Sequence, residues 1–413
     1  MMSLVRSAFG RASLVFLLAW LAPAWAQAEP LPVPGSAPTA PSGLPSPPSD
    51  ITAASYVLLD FESGLFLAQR EADVQREPAS LTKLMTAYVV FGEIRDGRLG
   101  LDENVTVSEH AWRTGMTGAS RMFIEVGEQV VVEDLLRGMI IQSGNDASTA
   151  LAEQVAGSEG AFVDMMNAQA RDLGMYNSYF ANPHGLPAEE PQYTTASDMA
   201  RLARALIHEF PELYGYYSER SFEYNDISQS NRNMLLWRDA GFDGLKTGWT
   251  SAAGYNLVSS AERDGRRLVA VVMGIDAPNH QQGGTRRANE SQALVNWGMR
   301  LTEMRQLFEA GSELGRPRVY KGAQTEVAVG LDRPFWVVVR PGRGDGLEAS
   351  MEVHQPLEAP LAAGDRVGEV VARLNGEVVH RQPLVALDVV EQGGIVRRLW
   401  DSAVLAIQSV WPL

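Results

Sequence analysis

The sequence predicts an α/β chain in which an antiparallel sheet carries an inserted helical block, followed by a small all-β domain and a C-terminal amphipathic helix. Three observations lead there. Apolar runs about turn residues stand at both ends of residues 55–275, with helical periodicity between them, Asn375-Gly376 marks another hairpin downstream, and the last residues return to helical spacing. Strands, then helices, then strands again place a sheet against an inserted helical block, with chemistry expected in the cleft between them.

Taken in order, Arg6, Arg11, the apolar residues 12–21 and Ala24-Trp25-Ala26-Gln27-Ala28 read as a secretory signal over residues 1–28. Pro23 interrupts the apolar run, and a spanning helix needs about 20 such residues. Residues 29–50 are dense in Pro, Ser, Ala and Gly, a composition that cannot offset its ordering entropy, and read as a linker. The main domain is expected over residues 51–312. It opens with a hairpin, residues 55–60 and 65–67 about Gly64, and continues with helical signals at 78–93, 132–141, 146–155, 159–173 and 196–207. Strands return in "NLVSSAERDGRRLVAVVMG", where Asp264-Gly265 supplies the positive-φ residues of a tight turn. An amphipathic helix at about 288–309 closes the domain.

Residues 313–391 read as a separate β domain, with a strand at 335–339 and a hairpin on Asn375-Gly376. In residues 392–413, Ile395, Val396, Leu399, Trp400, Ala403, Val404, Ile407, Val410 and Trp411 recur at helical spacing, with Arg397, Arg398 and Asp401 on the other side. Such a helix is expected to lie in a membrane surface and is too polar to span it.

Composition removes several chemistries. There is no Cys, hence no disulfide framework, thiol nucleophile or thiolate metal site. The six His residues form no H-E-x-x-H spacing, and no metal or cofactor is expected. A formal charge of −15 argues against nucleic acid as a partner.

Of 35 basic side chains only Lys83, Lys246 and Lys321 are Lys. Pro78 suits the first turn of a helix, so Ser80 is expected near a helix N-terminus, where free N–H groups favour developing negative charge. Residues i and i+3 share a face, and helical side chains lean toward the N-terminus, which brings the Lys83 amine back to the Ser80 hydroxyl. Arginine cannot act there, because it never gives up a proton, whereas a desolvated lysine beside another cation becomes a neutral base near pH 7. Alone, the pair reads better as a helix cap and an exposed lysine, since roughly one or two S-x-x-K strings arise by chance in such a chain. Ser143-Gly144-Asn145, at a break between helical segments, and Lys246-Thr247-Gly248, expected to begin a strand, change the balance.

Ser80-Leu81-Thr82-Lys83, Ser143-Gly144-Asn145 and Lys246-Thr247-Gly248 resemble the three motifs of penicillin-binding proteins and serine β-lactamases. The flanking "PASLTKLMTAYV", "QSGNDA", His184-Gly185-Leu186 and "DGLKTGWTSAAGYNLVSSA", with the terminal β domain and helix, are similar to low-molecular-mass D-alanyl-D-alanine carboxypeptidases of the serine type. The resemblance covers the chain from about Ser55 onward. It implies a β-lactamase/transpeptidase-like domain, a peptidoglycan stem peptide as substrate and β-lactams as covalent inhibitors. It further implies an exported, periplasmic protein held peripherally at the outer face of the inner membrane.

By the same resemblance, Ser80 attacks the carbonyl of the terminal D-Ala-D-Ala bond, with Lys83 as base, and water later hydrolyses the acyl-enzyme. Ser143 relays a proton to the leaving amine, and Asn145 orients Lys83 and the substrate amide. Lys246 keeps Lys83 neutral and draws in the substrate carboxylate, which Thr247 and Arg287 also grip, Arg286 being the neighbouring candidate. Gly248 completes the strand motif, and the N–H groups of Ser80 and Trp249 form the oxyanion hole. Close relatives often carry His where this chain has Trp249, which implies slower turnover of the acyl-enzyme.

Other readings share these motifs. A serine β-lactamase would use Glu189 or Glu190 as an additional base, although the β domain, terminal helix and His-Gly-Leu loop point away from it. A D,D-endopeptidase differs only in what lies beyond the scissile bond. A non-catalytic wall scaffold needs no nucleophile beside a potentially neutral lysine.

Overall fold

The strands at the two ends of the main domain meet in one sheet. In this computed structural model, residues 44–116 and 120–410 are described. The expected signal peptide and the linker as far as residue 43 lie outside the described residues, as does Trp411. Strands β1 (Ser55–Asp60), β2 (Phe66–Arg70), β3 (Phe242–Thr250), β4 (Gly254–Arg263) and β5 (Arg266–Ile275) form a five-stranded sheet in the order β2-β1-β5-β4-β3. Every neighbouring pair is antiparallel. Asp264 and Gly265, at φ 51° and 75°, make the expected hairpin turn.

Side-chain alternation sends each central strand into two cores. Val57, Leu59, Val269, Val271 and Met273 pack with the helical block, whereas Tyr56, Leu58, Leu268, Ala270 and Val272 pack with Leu294, Val295 and Trp297 on the other side. Both faces are covered, and so the run in β5 is apolar without interruption.

The block between β2 and β3 contains α1 (Lys83–Arg95), α2 (Asn145–Ala156), α3 (Glu159–Asp172) and α4 (Ala196–Glu209). Lys83 through Phe91 are all buried, which makes α1 the central helix that α2, α3 and α4 surround. Ser158 and Thr195 cap α3 and α4 by accepting the N–H groups of Ala161 and Asp198.

Helix α5 (His280–Leu301) differs from the expected 288–309 at both ends. It begins early because Asn279 Oδ1 accepts the Gln282 N–H, and because Gly283 is required where a Cβ would lie 2.4 Å from the Tyr255 ring. It stops at Leu301 because Glu303–Phe308 becomes a strand paired with Phe335–Val339.

Beyond it, a second five-stranded sheet runs in the order Glu313–Gly315, Val329–Gly330, Glu377–Ala386, Arg366–Leu374, Leu347–Val353. Asn375 and Gly376, at φ 51° and 86°, turn its long hairpin. The C-terminal helix, Ile395–Val410, is held by Asp401, whose buried carboxylate accepts the Lys321 N–H at 2.6 Å. Ile395, Val396, Leu399, Trp400 and Ile407 remain 67–83% exposed. No helix among the described residues is long and apolar enough to cross a membrane.

Candidate active site

Ser80 lies in a 3₁₀ turn, Ala79–Thr82, and α1 begins only at Lys83, later than the sequence suggests. In a 3₁₀ turn residues i and i+3 eclipse, and Lys83 Nζ reaches Ser80 Oγ at 3.3 Å. Lys83 is buried, and its amine also donates to Asn145 Oδ1 and to the His184 carbonyl oxygen, both at 2.7 Å. Those two groups only accept. They take the two N–H bonds of a neutral amine, leaving its lone pair for the Ser80 hydroxyl.

The Lys83 pKa is pulled well below the usual lysine value by burial first and by Arg232 second, while Asp146 acts in the opposite direction. Lys246 is lowered as well, by burial, then Lys83, Arg232 and Arg287, so the two lysines repel one another and Arg232 acts on both. Arg232 is the cation that sequence reasoning missed. Its side chain is exposed, yet enough protein surrounds the guanidinium to lower its pKa.

Lys246-Thr247-Gly248 lies inside β3 and does not begin it. Strand β3 is the sheet edge, and Gly248 passes so near the Ser80 turn that a Cβ would meet the Pro78 carbonyl oxygen at 3.1 Å and the Leu81 nitrogen at 3.2 Å. Lys246 and Thr247 are buried, and Lys246 Nζ donates to the Thr247 carbonyl oxygen at 3.1 Å. Arg287, on α5, turns toward this strand: Nη1 donates to the carbonyl oxygens of Gly248 at 3.3 Å and Asn256 at 3.4 Å. Burial, then Arg232, lowers it to about 10. Arg286 donates instead to the Asp276 carbonyl oxygen and is exposed.

Ser143 takes a left-handed conformation, φ 67°, at the junction between the turn Gly138–Gln142 and α2, and its buried Oγ has no hydrogen-bond partner among the described residues. The motif is held from behind. Asp146, also buried, accepts N–H groups from Met122 at 2.8 and 2.9 Å, Phe123 at 3.1 Å and Ala147 at 2.9 Å, and the Asn145 N–H donates to the Ser120 carbonyl oxygen. Asp146 entered the sequence reading only as part of "QSGNDA" and of the helical segment 146–155, and residues 120–123 not at all, because their partnership spans more than twenty residues.

The His184 loop closes over the turn. Asn182 Oδ1 accepts the N–H groups of His184 and Gly185, while Asn182 Nδ2 and Gln192 Nε2 both donate to the Leu186 carbonyl oxygen. Burial, then the Lys83 charge, lowers the His184 ring to about 3, so it is neutral. Glu190 accepts the Tyr179 hydroxyl at 2.8 Å and Glu189 is exposed, and neither bonds Ser80 or Lys83. Trp249 is 43% exposed, its ring edge-on to His280 with centroids 4.4 Å apart.

Ser80, Lys83, Asn145, Lys246 and the carbonyl of His184 thus converge, with Arg232 and Arg287 near enough to act on the lysines electrostatically. A serine beside a buried amine of lowered pKa, with positive charge from the neighbouring basic side chains, suits attack on a carbonyl next to an anionic group.

The family model described as D-alanyl-D-alanine carboxypeptidase matches residues 42–277, and that described as Penicillin-binding protein 5, C-terminal domain, matches residues 303–392. The chain is 42% identical over 356 residues to the D-alanyl-D-alanine carboxypeptidase DacC of Escherichia coli (strain K12), covering 85% of this chain and 87% of that protein. Its fold is similar to that of penicillin binding protein 5 from Haemophilus influenzae, with a TM-score of 0.76 and 39% identity over 84% of this chain and 100% of the other. The ampicillin-bound Penicillin-Binding Protein D2 of Listeria monocytogenes matches with a TM-score of 0.55 and 28% identity, covering 61% of this chain and 100% of that one.

Proposed function

The chain belongs to the D-alanyl-D-alanine carboxypeptidase family, and from that premise we propose that Ser80 is its nucleophile and Lys83 the base that activates it. The protein is a serine-type carboxypeptidase that removes the terminal D-Ala of peptidoglycan stem peptides and binds penicillin. The observation that carries the residue assignment is the environment of Lys83 Nζ, with two acceptors at 2.7 Å and the Ser80 hydroxyl as third neighbour.

Lys83 takes the hydroxyl proton as Ser80 Oγ bonds to the scissile carbonyl carbon. The N–H groups of Ser80 and Trp249 receive the oxyanion, a device worth about 3–4 kcal/mol per donor. Ser143, whose Oγ is unpartnered, passes the proton to the departing D-Ala amine. Asn145 orients Lys83, and Lys246, Thr247 and Arg287 hold the terminal carboxylate, with Arg232 adding to the positive field. A water then hydrolyses the ester on Ser80. A β-lactam follows the same first step and leaves an acyl-enzyme that water releases only slowly.

Residues 51–312 form the catalytic domain and 313–391 the β domain in this reading, with residues 1–28 an export signal and 29–50 a linker. The protein works in the periplasm, its C-terminal helix lying on the outer face of the inner membrane. Support comes from the exposed Ile395, Val396, Leu399, Trp400 and Ile407, with Asp401 turned inward.

Mass spectrometry after benzylpenicillin tests the assignment. One adduct on the Ser80 peptide, absent from Ser80→Ala, is expected together with D-Ala release from a stem-peptide mimic; labelling elsewhere would overturn it.

A further inference from the structure

A cavity of about 240 Å³ lies beside the nucleophile turn, lined by Arg76, Glu77, Pro187, Glu190, Gln192 and Tyr193 among others. Its two walls continue the segments that build the site: Glu77 is three residues before Ser80, and Pro187 is three after His184, whose carbonyl binds Lys83. The polar groups brought there are mostly acceptors. Glu77 and Glu190 form no ion pair among the described residues, their bonds being to the hydroxyls of Thr250 at 3.3 Å and Tyr179 at 2.8 Å. Gln192 is 8% exposed, and its Oε1 is buried with no hydrogen-bond partner, although its Nε2 is held by the Leu186 carbonyl oxygen. Such an orphaned acceptor is costly unless something donates to it. The one cation in the wall, Arg76, keeps its charge while its Nε donates to Ser55 Oγ at 2.6 Å, so the wall sets two carboxylates, Glu77 and Glu190, against one guanidinium.

The position matters as much as the chemistry. Thr250, which bonds Glu77, is four residues beyond Lys246 on β3, on the order of 13 Å along the strand. A peptide lying along β3 with its terminal carboxylate at Lys246 and Arg287 therefore runs back toward Glu77. Its third residue from the end starts roughly 7 Å upstream, and a flexible aliphatic side chain covers the rest.

We propose that this cavity is a subsite for a side-chain ammonium carried by the stem-peptide residue immediately before the D-Ala-D-Ala pair. Three N–H donors of the ammonium meet Glu77, Glu190 and Gln192 Oε1. The substrate is then read at both ends, by a cation cluster for its carboxylate and by acceptors for its amine. The subsite rests on the carboxypeptidase reading above.

The test compares the full-length protein acting on two peptides, Nα-acetyl-L-lysyl-D-Ala-D-Ala with the ε-amine free or acetylated. The carboxylates are exposed and screened, so the expected preference in kcat/KM for the free amine is modest, about three- to tenfold. In Glu77→Gln/Glu190→Gln the free-amine peptide falls toward the acetylated one, with the stoichiometry of penicillin acylation read in parallel to report folding. Equal kcat/KM for the two peptides in wild type, or a preference that survives in the double variant, overturns the subsite alone. Release of D-Ala from neither peptide overturns the carboxypeptidase reading and the subsite with it.

Discussion

Gly185 crosses Ala79 so closely that a Cβ on it would sit 1.9 Å from the Ala79 carbonyl oxygen. The glycine is also at φ 83°, in the left-handed region, and both facts exclude a side chain. Gly185→Ala must push the His184 loop off the turn that carries Ser80. The expected result is a loss of more than ~2 kcal/mol in unfolding free energy, at the large end of single substitutions. Penicillin acylation falls with it. Denaturant titration and gel labelling with fluorescent penicillin measure the two effects, and a variant equal to wild type in both would disprove the crossing.

The burial of Lys83 sets the pH dependence of acylation. Its pKa is lowered, so the reactive neutral form accumulates as pH rises through that lowered value, well before an ordinary lysine would deprotonate. The acylation rate should rise with pH and then level. Lys83→Arg keeps the charge at every pH, and should acylate at least about 100-fold more slowly with no such rise. Stopped-flow quenching by a β-lactam across pH checks both.

His184 gives a stability slope of the opposite origin. The unfolded chain takes a proton near pH 6.5, whereas the folded one resists until about pH 3. Between these values the unfolded state binds more protons, so stability falls as pH falls, by at most ~1.4 kcal/mol per unit from this group. His184→Gln should flatten that part of the profile in calorimetric or denaturant measurements.

Trp249 directly follows Lys246-Thr247-Gly248, and its ring leans on His280. Trp249→His should speed release of the penicilloyl group, while wild type turns over slowly. Burst-phase kinetics with a chromogenic β-lactam measures the deacylation rate, and equal rates would remove any role for the indole.

The terminal helix predicts binding to lipid. Trp400→Glu places a charge in its exposed apolar face, and should lower co-sedimentation with anionic vesicles while D-Ala release in solution stays at the wild-type rate.

Local signals in the sequence located the elements well wherever a backbone requirement picked the residue. Asp264-Gly265 and Asn375-Gly376 are such cases, their positive φ values matching the turns they make. The eclipsed Ser80–Lys83 pair is another, because three-residue spacing alone brings the groups together. The start of helix α5 was misplaced because Gly283 and Gly284 carry no helical signal of their own, and only the packing of the Tyr255 ring against Gly283 shows why a glycine belongs there. The action of Arg232 and Asp146 on Lys83 was invisible for a related reason. Each acts on Lys83 across a long stretch of chain, and no local pattern encodes that distance.

With Lys83 and Lys246 enclosed and Lys321 at the surface beside Glu358, the chain holds a built-in spectroscopic reporter set. Biosynthetic isotope labelling of lysine at the ε carbon would yield three resonances, one from the ion pair with Glu358 as a reference and two that sense occupancy of the groove. In a chain that used lysine as its ordinary surface cation, those two signals would be lost in the crowd.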